Sequence, residues 1–572
     1  MITMVEPTYP GCQYFSGLAT RVGLSVDQVN FLLGQLAGLA VATLFRLQLR
    51  PGRVGPAPRH LAAAATGLGI LLFCYGRDTV HVITQAVVTY SVIRLAPAKY
   101  VHRLCLLFAM IYLTIIHYGR LGRRNPYIDV SGPVMVLTMK VTLLAFNIHD
   151  GAASDTGDLQ TNNPDIRRLA VSRVPGLLEF AGYAFNFQTV LVGPMVDFRH
   201  YKHFIETGVS PSPPGAPVDK TGSDGNGNLV RPSPWRAVLR QLGVVTVTAW
   251  CVVILVPKVP HAFFREEAYY GWSWWRQWGY MYLSGLMGRM KYYAAWCLAG
   301  AVCNASGLGY SGLGEDGRQR WDAVSNVHLW QVEMGGSFRE VLQGWNVGTG
   351  QWLRLVAYER AARHRTVAVY ALSALWHGLD PCYFVTFGVG ALCTEASRAS
   401  RRCLRPRMQS SAFTRRLYDL AGWAATRICI AYLQVPFVLL DISTSMRVYS
   451  EHYFSVHLLC AAMIFLLPRV LPPPAKTVSS TAKLTTPIVH DTGLMVENSH
   501  VTSSPTAANG HVTTHSACAS GTDSMDPPST GGHVTDMGAP QAGCGGGSLR
   551  KRTADLAGGL TDGGCERPLR AV

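Results

Sequence analysis

The chain has 572 residues, 48% of them hydrophobic and 15% charged, with 51 Lys and Arg against 34 Asp and Glu for a formal charge of +17. Its mean hydropathy of +0.16 is low for a chain that crosses a bilayer many times, because a long polar C-terminal stretch dilutes the apolar part. Fourteen cysteines form no spaced framework and no metal-binding pair, which excludes a disulfide scaffold and a zinc site. The basic excess suits cytosolic loops of a membrane protein, or anionic cofactors and lipid headgroups, and no nucleic-acid partner is expected.

In chain order, residues 1–25 are polar and lack a basic region leading into a short apolar core, so no cleavable signal peptide is expected. The first apolar segment, flanked by Arg46 and Arg50, reads as an uncleaved signal anchor. Apolar stretches near 29–45, 59–75, 79–95, 101–117, 133–149, 177–195, 238–257, 277–303, 366–396, 420–440 and 452–468 approach the roughly 20 residues that a spanning helix needs. Several are short or carry Gly and Pro, so some should be re-entrant or broken helices packed against neighbours. Residues 150–172 read as an extramembrane loop, and 208–235 (SPSPPGAPVDKTGSDGNGN at its centre) as a flexible linker. After Leu471 a PPP run leads into a Ser-, Thr-, Gly- and His-rich tail with too little apolar content to fold. The domain plan is therefore 1–25, an apolar body at 26–470, and a polar tail at 471–572.

Common catalytic motifs are missing. There is no H-x-x-x-x-D box, no H-E-x-x-H, and no G-x-S-x-G, since the run ending at Gly312 fails at its last position. The run GLGYSG (Gly307, Gly309, Gly312) matches G-x-G-x-x-G, but it follows an apolar helix without a βαβ unit and reads as a membrane-exit turn. What remains is polar residues set in uncharged surroundings. His377 lies beside Trp376 in TVAVYALSALWHG, and Asn346 lies in WNVGTGQWL with Trp345, Thr349 and Trp352. An ionisable group within hydrocarbon is by default a functional site, the bland alternative being a packed histidine. Tyr370, Tyr383, Phe384 and Phe387 would line an apolar tunnel nearby. Lys291, followed by Tyr292, either meets phosphates or snorkels. Lys140, deep in the span 133–149, would neutralise a headgroup phosphate. Arg354 and Arg360 read as a charged loop edge.

WDAVSNVHLW, SFREVLQGWNVGTGQWLRLVAYER and LSALWHGLDPCYFVTF resemble the signature of the membrane-bound O-acyltransferase (MBOAT) family, phospholipid branch. SVDQVNF at 25–31, SGPVMVLTMKVTLLAF at 131–146, HDG at 149–151, LLEFAGYAFNF at 177–187 and MKYYAAW at 290–296 extend the likeness over about 25–470. The resemblance implies an all-α polytopic fold, with roughly eleven transmembrane or re-entrant helices around a central tunnel. It also implies transfer of an acyl chain, oleoyl or similar, from acyl-CoA to the free hydroxyl of a lysophospholipid. His377 would be the general base and Asn346 the donor to the thioester oxygen. Lys291, Tyr292, Trp345, Thr349, Trp352 and Trp376 would hold the donor. Acyl-CoA would be a co-substrate, with no permanent cofactor and no metal, in a multi-pass protein of the endoplasmic reticulum membrane that is compatible with an oligomer. Cys382, close after His377, is a poor candidate for a nucleophile. Gly348 and Gly350 stand where relatives tend to carry Gln and Ala, and Gly300 and Cys303 where they tend to carry Asp and Asn, which bears on the acceptor. A sterol, diacylglycerol or protein acceptor, and a non-catalytic lipid scaffold or transporter, are the competing readings.

Overall fold

Lateral packing of helices explains most of this chain. The computed structural model describes residues 9–123, 127–211 and 232–474; the polar tail and the centre of the 208–235 linker lie outside them. The principal helices are α1 (Val26–Gln48), α2 (Pro56–Tyr75), α3 (Thr79–Leu95), α4 (Val101–Arg123), α5 (Ser131–Asp155) and α6 (Leu177–Ala184). They continue with α7 (Trp235–Trp250), α8 (Trp274–Ser306), α9 (Val347–Leu353), α10 (Arg365–His377), α11 (Pro381–Cys403) and α12 (Ala412–Leu439). The sheet found among the described residues is a two-stranded hairpin, Gly312–Leu313 with Gln319–Arg320. It follows the left-handed Gly307 that ends α8, so GLGYSG is the turn its context suggested and not a nucleotide loop.

Local signals set the helix ends. Ser25 N–H donates to Gln28 Oε1 at 3.2 Å and opens α1 as a capping box. Pro56 occupies the first position of α2, where its missing N–H costs nothing. Gly76, at φ 50°, separates α2 from α3, and a Cβ there would lie 2.0 Å from the Pro10 carbonyl oxygen.

Burial divides the helices by position. In α5 every residue from Val136 to Ile148 is buried, the mark of a helix enclosed on all sides. In α7 Leu239, Val247 and Trp250 are exposed, as suits a helix that faces lipid. Six helical runs among the described residues are long and apolar enough to cross a membrane: Val26–Gln48, Pro56–Leu95, Val101–Arg120, Ser131–Asp155, Trp235–Arg265 and Ala412–Leu439. A seventh exists if Ile442–Glu451 and Ser455–Val470, bent by 71°, count as one.

The remaining expected spans take other forms. The stretch 177–195 is helical only through Ala184 and then runs as buried irregular chain. The stretch 277–303 lies inside the 33-residue α8. The stretch 366–396 is cut at Gly378, whose φ of 142° ends α10 directly after His377. Asp380 accepts from Cys382 N–H at 2.9 Å and Pro381 starts α11, so the chain restarts at once.

Candidate active site

His377 is the last residue of α10, and Asn346 is the cap that opens α9, in the left-handed conformation at φ 48° and ψ 54°. Both sit at helix breaks, and both retain accessible surface. Non-glycine residues at positive φ are uncommon, with Asn among the most tolerant.

His377 Nδ1 lies 2.7 Å from the carbonyl oxygen of Ser373. A carbonyl can only accept, so Nδ1 carries the proton and Nε2 is left as a bare lone pair. The ring is enclosed by Trp376, Phe387, Phe437 and Tyr383 at centroid distances of 4.7, 4.7, 5.5 and 5.9 Å. The helix end that carries it is held from α4, where buried His117 donates from Nε2 to the Trp376 carbonyl at 3.1 Å.

A chain of hydrogen bonds orients Asn346. The backbone N–H of Gly348 donates to Asn326 Oδ1 at 3.1 Å, which leaves Asn326 Nδ2 as the donor to Asn346 Oδ1 at 3.2 Å. The Thr349 hydroxyl adds a second contact to the same Oδ1 at 2.9 Å. With its oxygen occupied twice, Asn346 presents Nδ2 as its available donor. Val347 N–H also bonds to the Asn326 carbonyl at 2.9 Å, so Asn326 splints the whole break. Gly348 fits closely here, since a Cβ would lie 3.0 Å from both N and Cβ of Met195 and would need that residue to shift by a few tenths of an ångström. Gly350 has open space beside it, and nothing in the packing demands glycine there.

One face of α5 brings the two breaks together. Trp376 Nε1 donates to the Met135 carbonyl at 3.1 Å, the Thr349 hydroxyl lies 3.3 Å from the Met139 sulfur, and Trp352 Nε1 donates to Thr142 Oγ1 at 2.9 Å. Residues 135, 139 and 142 share one side of a helix, and 135 and 139 differ by about 6 Å in height. The Trp352 and Trp376 rings lie 6.0 Å apart, so α9 and α10 lean on adjacent turns of the same support.

Of the expected donor set, Trp352 has no exposed surface, and Thr349 and Trp376 are 5% exposed, so all three pack into the wall around the two breaks. Trp345 packs on α8 against Trp296, Tyr292 and Tyr293 at 4.9, 5.7 and 6.0 Å. Lys291 is exposed, with Nζ 5.2 Å from the Tyr292 ring centre.

Other expectations change as well. Lys140 is fully buried, and its Nζ donates to the carbonyls of Tyr183 and Ala184 at the end of α6, with Asn186 and Thr189 beside it. It therefore caps a helix and meets no headgroup. Arg360 forms a two-pronged pair with buried Asp150 at 2.9 and 2.6 Å, while Arg354 bonds Asp165 and Glu359. The supposed loop edge is thus the tie between α5 and the segment entering α10. Cys382 is fully buried at the start of α11, with no surface open to a substrate in this structure. Gly300 makes room for Gln241, which bonds Asn304 Nδ2 at 2.8 Å, and Cys303 is buried against the Gln188 carbonyl. Sequence reading missed Asn326 and His117. Asn326 lies inside the WDAVSNVHLW motif, but nothing in the motif marks it as the residue that aims another amide.

The assembled groups are an imidazole with Nε2 unoccupied and an amide donor at the ends of broken helices, with no cluster among the described residues able to hold a metal ion. That is the equipment of a membrane-embedded transferase acting on a carbonyl and a hydroxyl. Residues 126–440 match the model of the MBOAT, membrane-bound O-acyltransferase, family. Lysophospholipid acyltransferase 6 of Drosophila melanogaster is 37% identical over 480 residues, 81% of this chain and 64% of that protein. Membrane-bound glycerophospholipid O-acyltransferase 1 of Mus musculus is 37% identical over 456 residues, 79% of this chain and 92% of that one. A lysophospholipid acyltransferase of Saccharomyces cerevisiae is 29% identical over 425 residues, 70% of this chain and 67% of its own length. The chain belongs to the membrane-bound O-acyltransferase family.

Proposed function

We propose that this enzyme transfers an acyl chain, oleoyl or a similar unsaturated one, from acyl-CoA to the free hydroxyl of a lysophospholipid at the endoplasmic reticulum membrane. The catalytic body is residues 26–470. Relatives named as lysophospholipid acyltransferases and glycerophospholipid O-acyltransferases support the reaction class. The observation that supports the mechanism is that each site group has one polar atom left over, His377 Nε2 and Asn346 Nδ2, while their neighbours Trp376 and Thr349 contact adjacent turns of α5.

His377 Nε2 takes the proton of the glycerol hydroxyl as that oxygen attacks the thioester carbon. General-base help of this kind is worth roughly 10²–10⁴-fold. Negative charge grows on the thioester oxygen, and Asn346 Nδ2 donates to it, a role worth roughly 3 kcal/mol at other oxyanion sites. The C–S bond then breaks, and the departing thiolate takes the proton from His377 Nε2, which returns the imidazole to its neutral state. The thioester is already activated, so no covalent acyl-enzyme is needed. Microsomes carrying the chain, given oleoyl-CoA and a panel of lysolipids, should form diacyl phospholipid. Transfer that persists near the wild-type rate in His377→Ala would remove the general-base role.

A further inference from the structure

Of the four rings around His377, one carries an uncommitted polar group. Trp376 Nε1 is spent on the Met135 carbonyl, and the phenyl rings of Phe387 and Phe437 have none to offer. The Tyr383 hydroxyl has no hydrogen-bond partner among the described residues, and its residue is half-buried, so the group is neither satisfied nor sealed from a ligand. A phenol packed among rings normally places its O–H against a partner.

Direct contacts fix its place. The Tyr383 ring centre lies 5.9 Å from that of His377 and 5.4 Å from that of Phe437, and Phe437 is in turn 5.5 Å from His377. The three rings pack in a triangle, and all three residues retain accessible surface. Gly378, directly after the histidine, makes the approach possible: a Cβ there would lie 3.1 Å from Tyr383 Cε2 and 3.4 Å from Cδ2. Cε2 is bonded to the carbon that bears the hydroxyl, so the polar half of the ring is the half nearer the helix break.

The imidazole supplies a direction. Nδ1 is turned back to the Ser373 carbonyl of its own helix, so Nε2, on the opposite edge of the ring, faces away from α10. Tyr383, Phe387 and Phe437, which face the ring, come from α11 and α12. An oxygen that gives its proton to Nε2 must come within a hydrogen bond of it, so the rest of its molecule is bordered by these side chains. Among the described residues no contact joins Tyr383 to Asn346 or α9, where the thioester oxygen is expected.

We propose that the Tyr383 hydroxyl donates a hydrogen bond to the lysolipid acceptor, at an oxygen of one of the two ester groups that flank its free hydroxyl, and so holds the glycerol against His377 Nε2. Tyr383 is then a binding residue for the acceptor and not only part of the apolar wall. The assignment rests on the acyl-transfer reading.

The test is steady-state kinetics in microsomes with lysophosphatidylcholine and oleoyl-CoA varied separately. Tyr383→Phe keeps the ring and its packing and removes one neutral hydrogen bond. It should raise KM for the lysolipid about three- to tenfold and leave KM for oleoyl-CoA within about twofold. Two analogues then locate the oxygen. If the penalty vanishes on a 1-O-alkyl lysophosphatidylcholine, the hydroxyl meets the carboxylic ester; if it vanishes on a monoacylglycerol, it meets the phosphate ester. A penalty equal on both analogues, a rise confined to oleoyl-CoA, or unchanged constants for both substrates would each overturn the assignment. A wild-type chain that acylates no lysolipid would instead overturn the reaction itself.

Discussion

Asn346 and His377 both stand where a helix is interrupted, yet different surroundings aim them. The amide is steered by a relay through a distant residue: Gly348 N–H, two positions on, sets Asn326, and Asn326, 20 positions back, sets Asn346. The imidazole is steered by its own helix through the Ser373 carbonyl and is walled by aromatic rings. The donor can therefore be misdirected by a remote isosteric change, while the base is lost chiefly by removing it. A hydrogen-bond relay encodes direction chemically, and an aromatic cage encodes it by shape.

The comparison is broken most severely at the base. His377→Ala should lower turnover by about 10²–10⁴-fold or more, with the protein still present in the membrane, measured as product per unit of immunodetected enzyme. Asn346→Ala should lower kcat by about 10²–10³-fold with a small change in KM for acyl-CoA, and the reverse split would make it a binding residue. The sharpest probe is Asn326→Asp. A carboxylate would still accept from Gly348 N–H, but its other oxygen would attract Asn346 Nδ2 and turn the donor away from the substrate. Turnover should fall toward the Asn346→Ala level, whereas Asn326→Ala should cost less, about tenfold, because it frees the amide without inverting it. Single-turnover rates for the pair of variants test that order.

Smaller effects are expected away from the reacting groups. Asp150→Ala leaves Arg360 without its partner and should destabilise the fold by about 2 kcal/mol. That lies below the range for fully enclosed pairs because Arg360 is 27% exposed, and a thermal-shift measurement in detergent reads it. Cys382→Ala should leave turnover unchanged, and an inactive, well-folded variant would restore sulfur to the mechanism.

The candidate site residues were conspicuous in the sequence because hydrocarbon makes polar residues stand out. His377 and Asn346 stood out as ionisable or amide groups in uncharged runs, and the motifs around them carried the family. The helix break at Gly378 was not legible from hydropathy, since the apolar stretch continues across it; Gly378, Asp380 and Pro381 were the local signals, outweighed by that average. Lys140 was misread for a different reason. A lysine in an apolar run looks like a ligand for lipid phosphate until the carbonyls at the end of α6 are seen to surround it. The Asp150–Arg360 tie and the Asn326–Asn346 relay join residues 210 and 20 positions apart, and pairing at such separations leaves no trace in local composition.

The Ser373 carbonyl that fixes the imidazole is electrically neutral, and this shapes the timing of the reaction. Unlike a carboxylate, it gives the ring no counter-ion on that side. The sulfur expelled in the same event, anionic as it departs, is the natural recipient of the ring's proton. In the proposed mechanism the proton would pass from the acceptor hydroxyl through His377 to the departing sulfur, a circuit between the two substrates that needs no water to carry hydrogen in or out.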